Sequence, residues 1–234
     1  MIIGGIQKNS FIDYPGKLSC VLFLSGCNFT CPYCHNPQLL EGGFSKTTCL
    51  DGKAFYEFLE KRKGFIDGVV ISGGEPTLHG DIQIIFEKIK RLGYPIKLDT
   101  NGTRPLMIKH LIDEGLTDYI AMDIKADPFD YPPSIARNYD PHSVLSSIEI
   151  IRDSGLPYEF RTTCVKPIVN ERTIRNILRT IKGAELYALQ RFRADHGVLE
   201  PRFFTKTGAG QNKDELRKLK AIADPWVQKC IVRF

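Results

Sequence analysis

Three cysteines stand within eight residues in the segment SGCNFTCPYCHNP, at positions 27, 31 and 34, with a C-x3-C-x2-C spacing. Thiolates crowded in this way bind metal, and two chemistries suit them, zinc or an iron–sulfur cluster. Three thiols cannot all pair as disulfides, and they fall one ligand short of a tetrahedral structural zinc site. His35 or Cys49 could supply the missing ligand. Zinc ribbons generally use two paired knuckles, and no second C-x2-C occurs in the chain. A cluster on three thiolates leaves one iron open, which is what catalysis requires. Spacing alone leans toward the cluster and leaves zinc standing.

The rest of the composition is that of an ordinary globular protein. The chain has 234 residues, 42% hydrophobic and 25% charged, enough to bury a substantial core. Lysine and arginine outnumber aspartate and glutamate by 32 to 27, and the charges are scattered. The densest cluster, EKRKGF near residue 60, falls where a helix C-terminus is expected, and positive charge is favourable there. No nucleic-acid partner is therefore expected. No apolar run approaches the ~18 residues needed to span a bilayer, and MIIGGIQKNS lacks the features of a secretory signal. The expectation is a cytoplasmic protein with no membrane partner. Seven cysteines, an odd count with one tight cluster, argue for a reducing compartment and against a disulfide framework. Cys20, Cys164 and Cys230 sit in apolar runs and read as small buried hydrophobes, and Cys49 receives a structural reading too.

Six short apolar runs predict buried strands: residues 18–24, 68–72, 95–99, 119–123, 158–164 and 185–189. They are nearly continuous rather than alternating, as in a parallel sheet covered on both faces. Between them lie segments with apolar residues at three- and four-residue spacing, such as DIQIIFEKIKRLG and ERTIRNILRTIKG, and glycine closes them as helix caps do. With no flexible linker or repeat, one domain over residues 1–234 is expected, its core about 15–195 and a C-terminal extension from 196. Trp226 would anchor that extension, which could add a final strand.

Six βα repeats give an α/β fold, a doubly wound sheet or a wheel. In α/β barrels the active site lies at the C-terminal ends of the strands. Each predicted strand here runs into something chemically pointed: the cysteines, GGEP (73–76), TNG (100–102), DIK (123–125), Arg161 and QRFR (190–193).

With these motifs in order, the chain resembles the radical S-adenosylmethionine (SAM) superfamily. Cys27, Cys31, Tyr33 and Cys34 match its C-x3-C-x-aromatic-C signature. The resemblance implies a partial (β/α)6 TIM-like barrel, one [4Fe–4S] cluster on the three cysteines, and SAM chelated at the open iron. Gly73, Gly74 and Glu75 match the GGE motif that meets the SAM methionine group, and two adjacent glycines permit close backbone approach. Asp99 and Asn101 match a further SAM element, Tyr33 and His35 flank the cluster, and Arg161 could meet the ribose or carboxylate. Gln190 stands as the adenine contact, with His196 as its alternative.

Within the superfamily the chain resembles activases of glycyl radical enzymes, especially those of anaerobic ribonucleotide reductase. SFIDYPGKLSCVLFLSGCNFTCPYCHNP resembles their opening, with Asp13, Pro15 and Gly16 in the D-x-P-G turn, and MDIK matches their D-x-K element. The resemblance implies that Asp123 and Lys125 orient SAM and the incoming glycine loop, with Asp13 a further partner contact. It also implies an external one-electron reductant such as flavodoxin or ferredoxin. Between the first two predicted strands only Cys49 remains beyond the cluster motif, so no auxiliary cluster is expected. Alternatives are an activase of a pyruvate formate-lyase-like enzyme, a radical SAM enzyme acting on a small molecule such as a deazapurine precursor, or a non-catalytic zinc or electron-transfer module.

Overall fold

The computed structural model describes residues 3–40, 52–193, 197–204 and 210–234. Eight strands and six helices are seen among them: β1 (Ile3–Ser10), β2 (Ser19–Leu24), α1 (Gly52–Lys61), β3 (Gly68–Gly73), α2 (Ile82–Arg91), β4 (Ile96–Thr100), α3 (Pro105–Asp113), β5 (Tyr119–Asp123), α4 (Pro141–Asp153), β6 (Tyr158–Cys164), α5 (Glu171–Thr180), β7 (Tyr187–Arg191), α6 (Lys213–Ala223) and β8 (Cys230–Arg233). All six strands expected from the sequence are present within two residues of their expected ends, and so are the five intervening helices. The fold is α/β with a parallel-strand sheet. Among the described residues no helix is long and apolar enough to cross a membrane.

The chain packs as two compact units. The first takes in Met1–Asn28, Gln38–Thr100 and Leu106–Ile120, and the second Phe29–Pro37, Asn101–Pro105 and Ala121–Phe234. In the first, strands lie side by side in chain order, with β1 antiparallel to β2 and β2, β3 and β4 parallel in the register Cys20↔Val69 and Val69↔Ile96. The second repeats the pattern, with β6, β7 and β8 parallel in the register Phe160↔Tyr187 and Tyr187↔Cys230. The Ile124 N–H, just past β5, donates to the Arg161 carbonyl of β6 at 2.8 Å.

Apolar strand faces are buried on both sides. Leu22, Leu24, Val69, Val70, Ile71, Ile96 and Leu98 are fully covered or nearly so, as are Phe160, Ala188 and Leu189 in the second unit. Burial stops at the C-terminal ends: β3 becomes half-buried at Ser72 and Gly73, β5 at Asp123, and β7 at Gln190. These are the positions where the sequence turns from packing to chemistry. The expected helix stops are also real, since Gly64, Gly93, Gly115, Gly155 and Gly183 all adopt positive φ.

Three elements lay beyond the sequence reading or at its edge. β1 is a polar run, IGGIQKNS, and owes its strand form to its ladder with β2. α6 starts at a capping box, with Asn212 and Glu215 bonded to each other's backbone, a signal present in the sequence and overlooked. β8 is the final strand that the C-terminal segment could add. Val227 and Cys230 are its buried anchors, whereas Trp226 is only half-buried and contributes its carbonyl to the Gly183 N–H.

Candidate active site

In the first unit the GGEP turn is clamped onto the backbone that leads to Cys27. The Gly74 N–H donates to the Leu24 carbonyl and the Glu75 N–H to the Gly26 carbonyl, both at 2.8 Å. Gly73 has φ +126°, and a Cβ there would collide with the Leu24 backbone. A Cβ on Gly74 would strike the Gly26 carbonyl and come within 3.2 Å of the Cys27 Cβ. The backbone that these glycines approach is the protein's own. The His79 ring bonds the Ser25 carbonyl at 2.9 Å and so pins the same loop.

Glu75 is 1% exposed, too deep to remain ionised without donors. Its Oε1 accepts the Thr77 N–H at 3.1 Å and the Thr100 hydroxyl at 2.8 Å, as well as the Thr77 hydroxyl. GGEP and the start of TNG are thereby tied together. Asp99 accepts from Ser72 at 3.2 Å and pairs with Lys97, a lysine with no exposed surface that lies 6.0 Å from the Tyr119 ring centroid. Sequence reasoning missed Lys97. A lysine within an apolar run, two residues from a carboxylate, was the available signal.

The second unit assembles Asp123, Lys125 and Arg161. Asp123 accepts both Arg161 Nε at 2.8 Å and an Arg161 terminal nitrogen at 3.2 Å, and Lys125 Nζ lies 3.1 Å away. Burial alone would push the Asp123 carboxyl up, but Arg161 and Lys125 outweigh it and hold the group well below the usual carboxylate range. Burial works against the Lys125 ammonium in turn, and the negative charge of Asp123 more than offsets it. The Lys125 N–H is held by the Tyr131 hydroxyl at 3.1 Å, and Tyr131 stacks on Tyr139 with ring centroids 4.7 Å apart. Phe29 meets both rings edge-on, so a wall of three aromatics backs the D-x-K turn.

The cysteine loop of this unit borders the triad. Cys31 is buried and its thiol is pushed up to about 11, chiefly by desolvation, with Lys125 opposing. Tyr33 is buried beside it, with its hydroxyl against the Cys31 thiol. The Thr30 N–H donates to the Ile135 carbonyl at 2.8 Å, and the N–H groups of Leu199 and Glu200 donate to the carbonyls of Cys34 and Pro32 at 3.1 and 3.0 Å. The C-terminal extension therefore lines the loop, which sequence reasoning did not foresee. His35 stacks on Phe192 at 5.6 Å between centroids, and Tyr33 meets the same ring edge-on.

Other expected site residues are placed differently. Asn101 closes its own turn by accepting the Thr103 N–H and hydroxyl at 3.0 and 2.7 Å. Gln190 sits half-buried on β7 opposite Thr163 of β6 and Arg233 of β8. Asp13 accepts from Ser10 at 2.5 Å in the turn that precedes β2, whereas Cys27 follows the far end of that strand. Cys49 and His196 lie outside the described residues.

Residues 21–181 match the Radical SAM superfamily. The chain belongs to the radical SAM superfamily. A protein of Methanocaldococcus jannaschii that carries the provisional name glycyl-radical enzyme activating enzyme is 36% identical over 237 residues, 99% of this chain and 95% of its own. The pyruvate formate-lyase-activating enzyme of Streptococcus mutans is 26% identical over 76% of this chain and 74% of its own. Among solved structures, Streptococcus suis SuiB bound to S-adenosylmethionine superposes with a TM-score of 0.66 at 14% identity, over 92% of this chain and 52% of SuiB. That likeness speaks for the fold alone, and this chain spans about half the length of SuiB.

Radical SAM proteins are enzymes whose cofactors are a [4Fe–4S] cluster and SAM. Among the described residues no three His, Cys, Asp or Glu side chains already stand gathered around a metal-ion position, so the fit rests on donor chemistry. That chemistry fits. Cys27, Cys31 and Cys34 are all free thiols. Cys31 sits in surroundings that disfavour a bare thiolate and would favour one neutralised by iron. The buried hydroxyl of Ser25, two residues before Cys27, lacks a hydrogen-bond partner among the described residues, as expected of a group built to face something further.

Proposed function

We propose that this radical SAM enzyme is an activase that abstracts a glycine hydrogen from a partner glycyl radical enzyme, and that the partner is an anaerobic ribonucleotide reductase. The observation that carries the reading is the Asp123–Lys125–Arg161 triad next to Cys31. An aspartate and a lysine fixed two residues apart beside a cluster cysteine suit the orientation of a zwitterionic cosubstrate and an incoming peptide. The full-length relationship to a protein named for activating glycyl radical enzymes supports it. The choice of reductase rests on the D-x-P-G turn, CHNP and MDIK elements together.

When bound, the cluster and SAM would supply one-electron reductive cleavage of SAM and hydrogen-atom abstraction from the partner's glycine, the electron coming from an external donor. The chain's part is to hold and to exclude. Cys27, Cys31 and Cys34 would hold the cluster through three thiolates. Glu75 and the GGEP turn would brace the loop that carries Cys27, and Gln190 at the end of β7 would meet the nucleoside. Asp123, kept ionised by Arg161, and Lys125 present fixed charges to cosubstrate and peptide. Tyr33, Phe192 and the Phe29–Tyr131–Tyr139 wall keep water away from the radical.

The test is electron paramagnetic resonance on anaerobically reconstituted protein mixed with reductant, SAM and the candidate reductase. A glycyl doublet on the partner is expected, with one 5′-deoxyadenosine formed per radical and neither product from Cys31→Ala. A doublet on a pyruvate formate-lyase instead would move the activity to that partner. SAM cleavage with no protein radical on either would overturn the activase reading.

A further inference from the structure

Four cations on the helices of this molecule are neutralised locally. Arg91 pairs with Glu87, Lys109 with Asp113, Arg217 with Asp214 and Lys220 with Asp224, each three or four residues apart. Helix α5 carries a row of three with no such pair. Thr173, Ile174, Ile177 and Leu178 face the core, and Arg172, Arg175 and Arg179 stand exposed on the other side. Their spacing of three and four residues puts them in one row. None has a carboxylate partner among the described residues, and Arg179 donates to the Asn176 side-chain oxygen Oδ1 at 3.0 Å. The three arginines line a shallow recess of about 490 Å³ completed by Glu171 and Asn176, three cations against one anion.

The recess is joined to the site. Asn176 donates to Asp127 at 2.5 Å, two residues past Lys125. The loop that begins there runs to Ile135, whose carbonyl holds the Thr30 N–H of the cysteine loop at 2.8 Å. Arg172 and Asn176 also line a second recess of about 440 Å³ against Asp127, Asp130 and Pro132. A protein seated on α5 would therefore rest against the segment that supports the cluster loop.

We propose that the arginine row of α5 is the docking surface for the acidic one-electron donor protein that reduces the cluster. The inference rests on the radical SAM reading above. The character of the face selects this partner over the glycine-bearing protein. A substrate that must thread a loop into an active site needs apolar anchors, and none of the exposed large hydrophobic residues lies on α5. A face rich in cations with a shallow recess suits a small, transient, electrostatically steered contact, the kind made by electron-transfer partners. The step is balanced: the donor is oxidised by one electron, the cluster is reduced by one, and no bond or proton changes on α5.

The experiment uses the reconstituted protein and a purified acidic flavodoxin as the probe. Binding of oxidised flavodoxin is followed by flavin fluorescence anisotropy, and cluster bleaching by reduced flavodoxin by stopped flow. The triple variant Arg172→Glu, Arg175→Glu, Arg179→Glu should bind flavodoxin at least about tenfold more weakly at low salt and lose most of the salt dependence seen between about 0.02 and 0.3 M. Cleavage of SAM driven by dithionite should be unchanged in that variant. Lysine at all three positions should retain most of the binding, and the paired control Arg91→Glu should leave it intact. Binding and salt dependence unaltered by the triple variant would overturn the proposal. So would normal donor binding combined with impaired radical transfer to the protein partner, which would give the face to that partner instead. Should the parent protein cleave no SAM even with dithionite, the radical SAM activity itself fails, and the binding arm still decides the docking surface.

Discussion

Two carboxylates in this molecule, Glu75 fully buried and Asp123 half-buried, are held by opposite means. The Oε1 of Glu75, in the first unit, accepts from a backbone N–H and two threonine hydroxyls, donors without formal charge. Asp123, in the second, is held by a bidentate guanidinium and an ammonium. Hydroxyl and amide donors stabilise a carboxylate through fixed dipoles, here two from its own turn and one from the end of β4. The cations of the second unit stabilise it by Coulomb attraction in a poorly solvated place, at the cost of burying two further charges. The first arrangement fails if the turn changes shape, and the second if any one charge is removed. Both suit a site that must present a carboxylate at a fixed position, but they differ in what disturbs them.

The sharpest way to break the comparison is Arg161→Ala. It removes the bidentate half of the triad and leaves Asp123 with Lys125 alone. Because the group is largely buried, the expected cost is about 3 kcal/mol in urea denaturation. Arg161→Lys should recover only part of this, since a single ammonium cannot span both carboxylate oxygens. A loss below about 1 kcal/mol for the alanine variant would mean that the triad is not what secures β6 against the D-x-K turn.

A second test uses pH, to which the two carboxylates should respond differently. The Asp123 carboxyl is depressed on folding, so its stabilising contribution is complete above the ordinary aspartate value of 3.8 and is lost as pH falls through its depressed folded value. Lys125 is raised on folding, so its contribution is complete below the ordinary lysine value of 10.5 and declines above it. The stability gap between the parent protein and Asp123→Asn should therefore be flat across the neutral range and shrink progressively below about pH 4. A gap that stays constant down to about pH 2 would show that Asp123 acts through hydrogen-bond geometry rather than charge.

The sequence made the two arrangements unequally legible. Chain-local features were readable: the near-continuous apolar strands, the glycine helix stops, and motifs in the order cysteines, GGEP, TNG, D-x-K. The pairing of Asp123 with Lys125 was accessible because both lie on one short segment. That Arg161, 38 residues on, closes a bidentate pair with Asp123 depends on β6 lying beside the end of β5, and no local pattern encodes that. Thr77 and Thr100 as the holders of Glu75 were overlooked for a similar reason. A threonine at a strand end reads as β-propensity until the fold shows what its hydroxyl meets. Lys97 was lost inside the run PIKLD, where binary patterning treats a lone lysine as an interruption of a strand. The N–H groups of Leu199 and Glu200 reach the cysteine loop from a segment with no periodicity at all, so only the three-dimensional structure could assign them.

The smallest effect tests the first arrangement most directly. Thr100 is 3% exposed and its hydroxyl donates to Glu75 at 2.8 Å. Thr100→Val keeps the shape and removes the donor, and should cost about 1 kcal/mol, the ordinary net worth of one such bond. Packing could yield a similar figure, so the single variant does not discriminate. A double-mutant cycle with Glu75→Gln does. If the hydroxyl matters because it meets a carboxylate charge, the cost of Thr100→Val should fall in the Gln background, where a neutral amide oxygen accepts the same bond more weakly. An unchanged cost in both backgrounds would mean that Thr100 contributes by filling space at the end of β4. The contrast between a dipole-held and a cation-held carboxylate would then survive only on the side of Asp123.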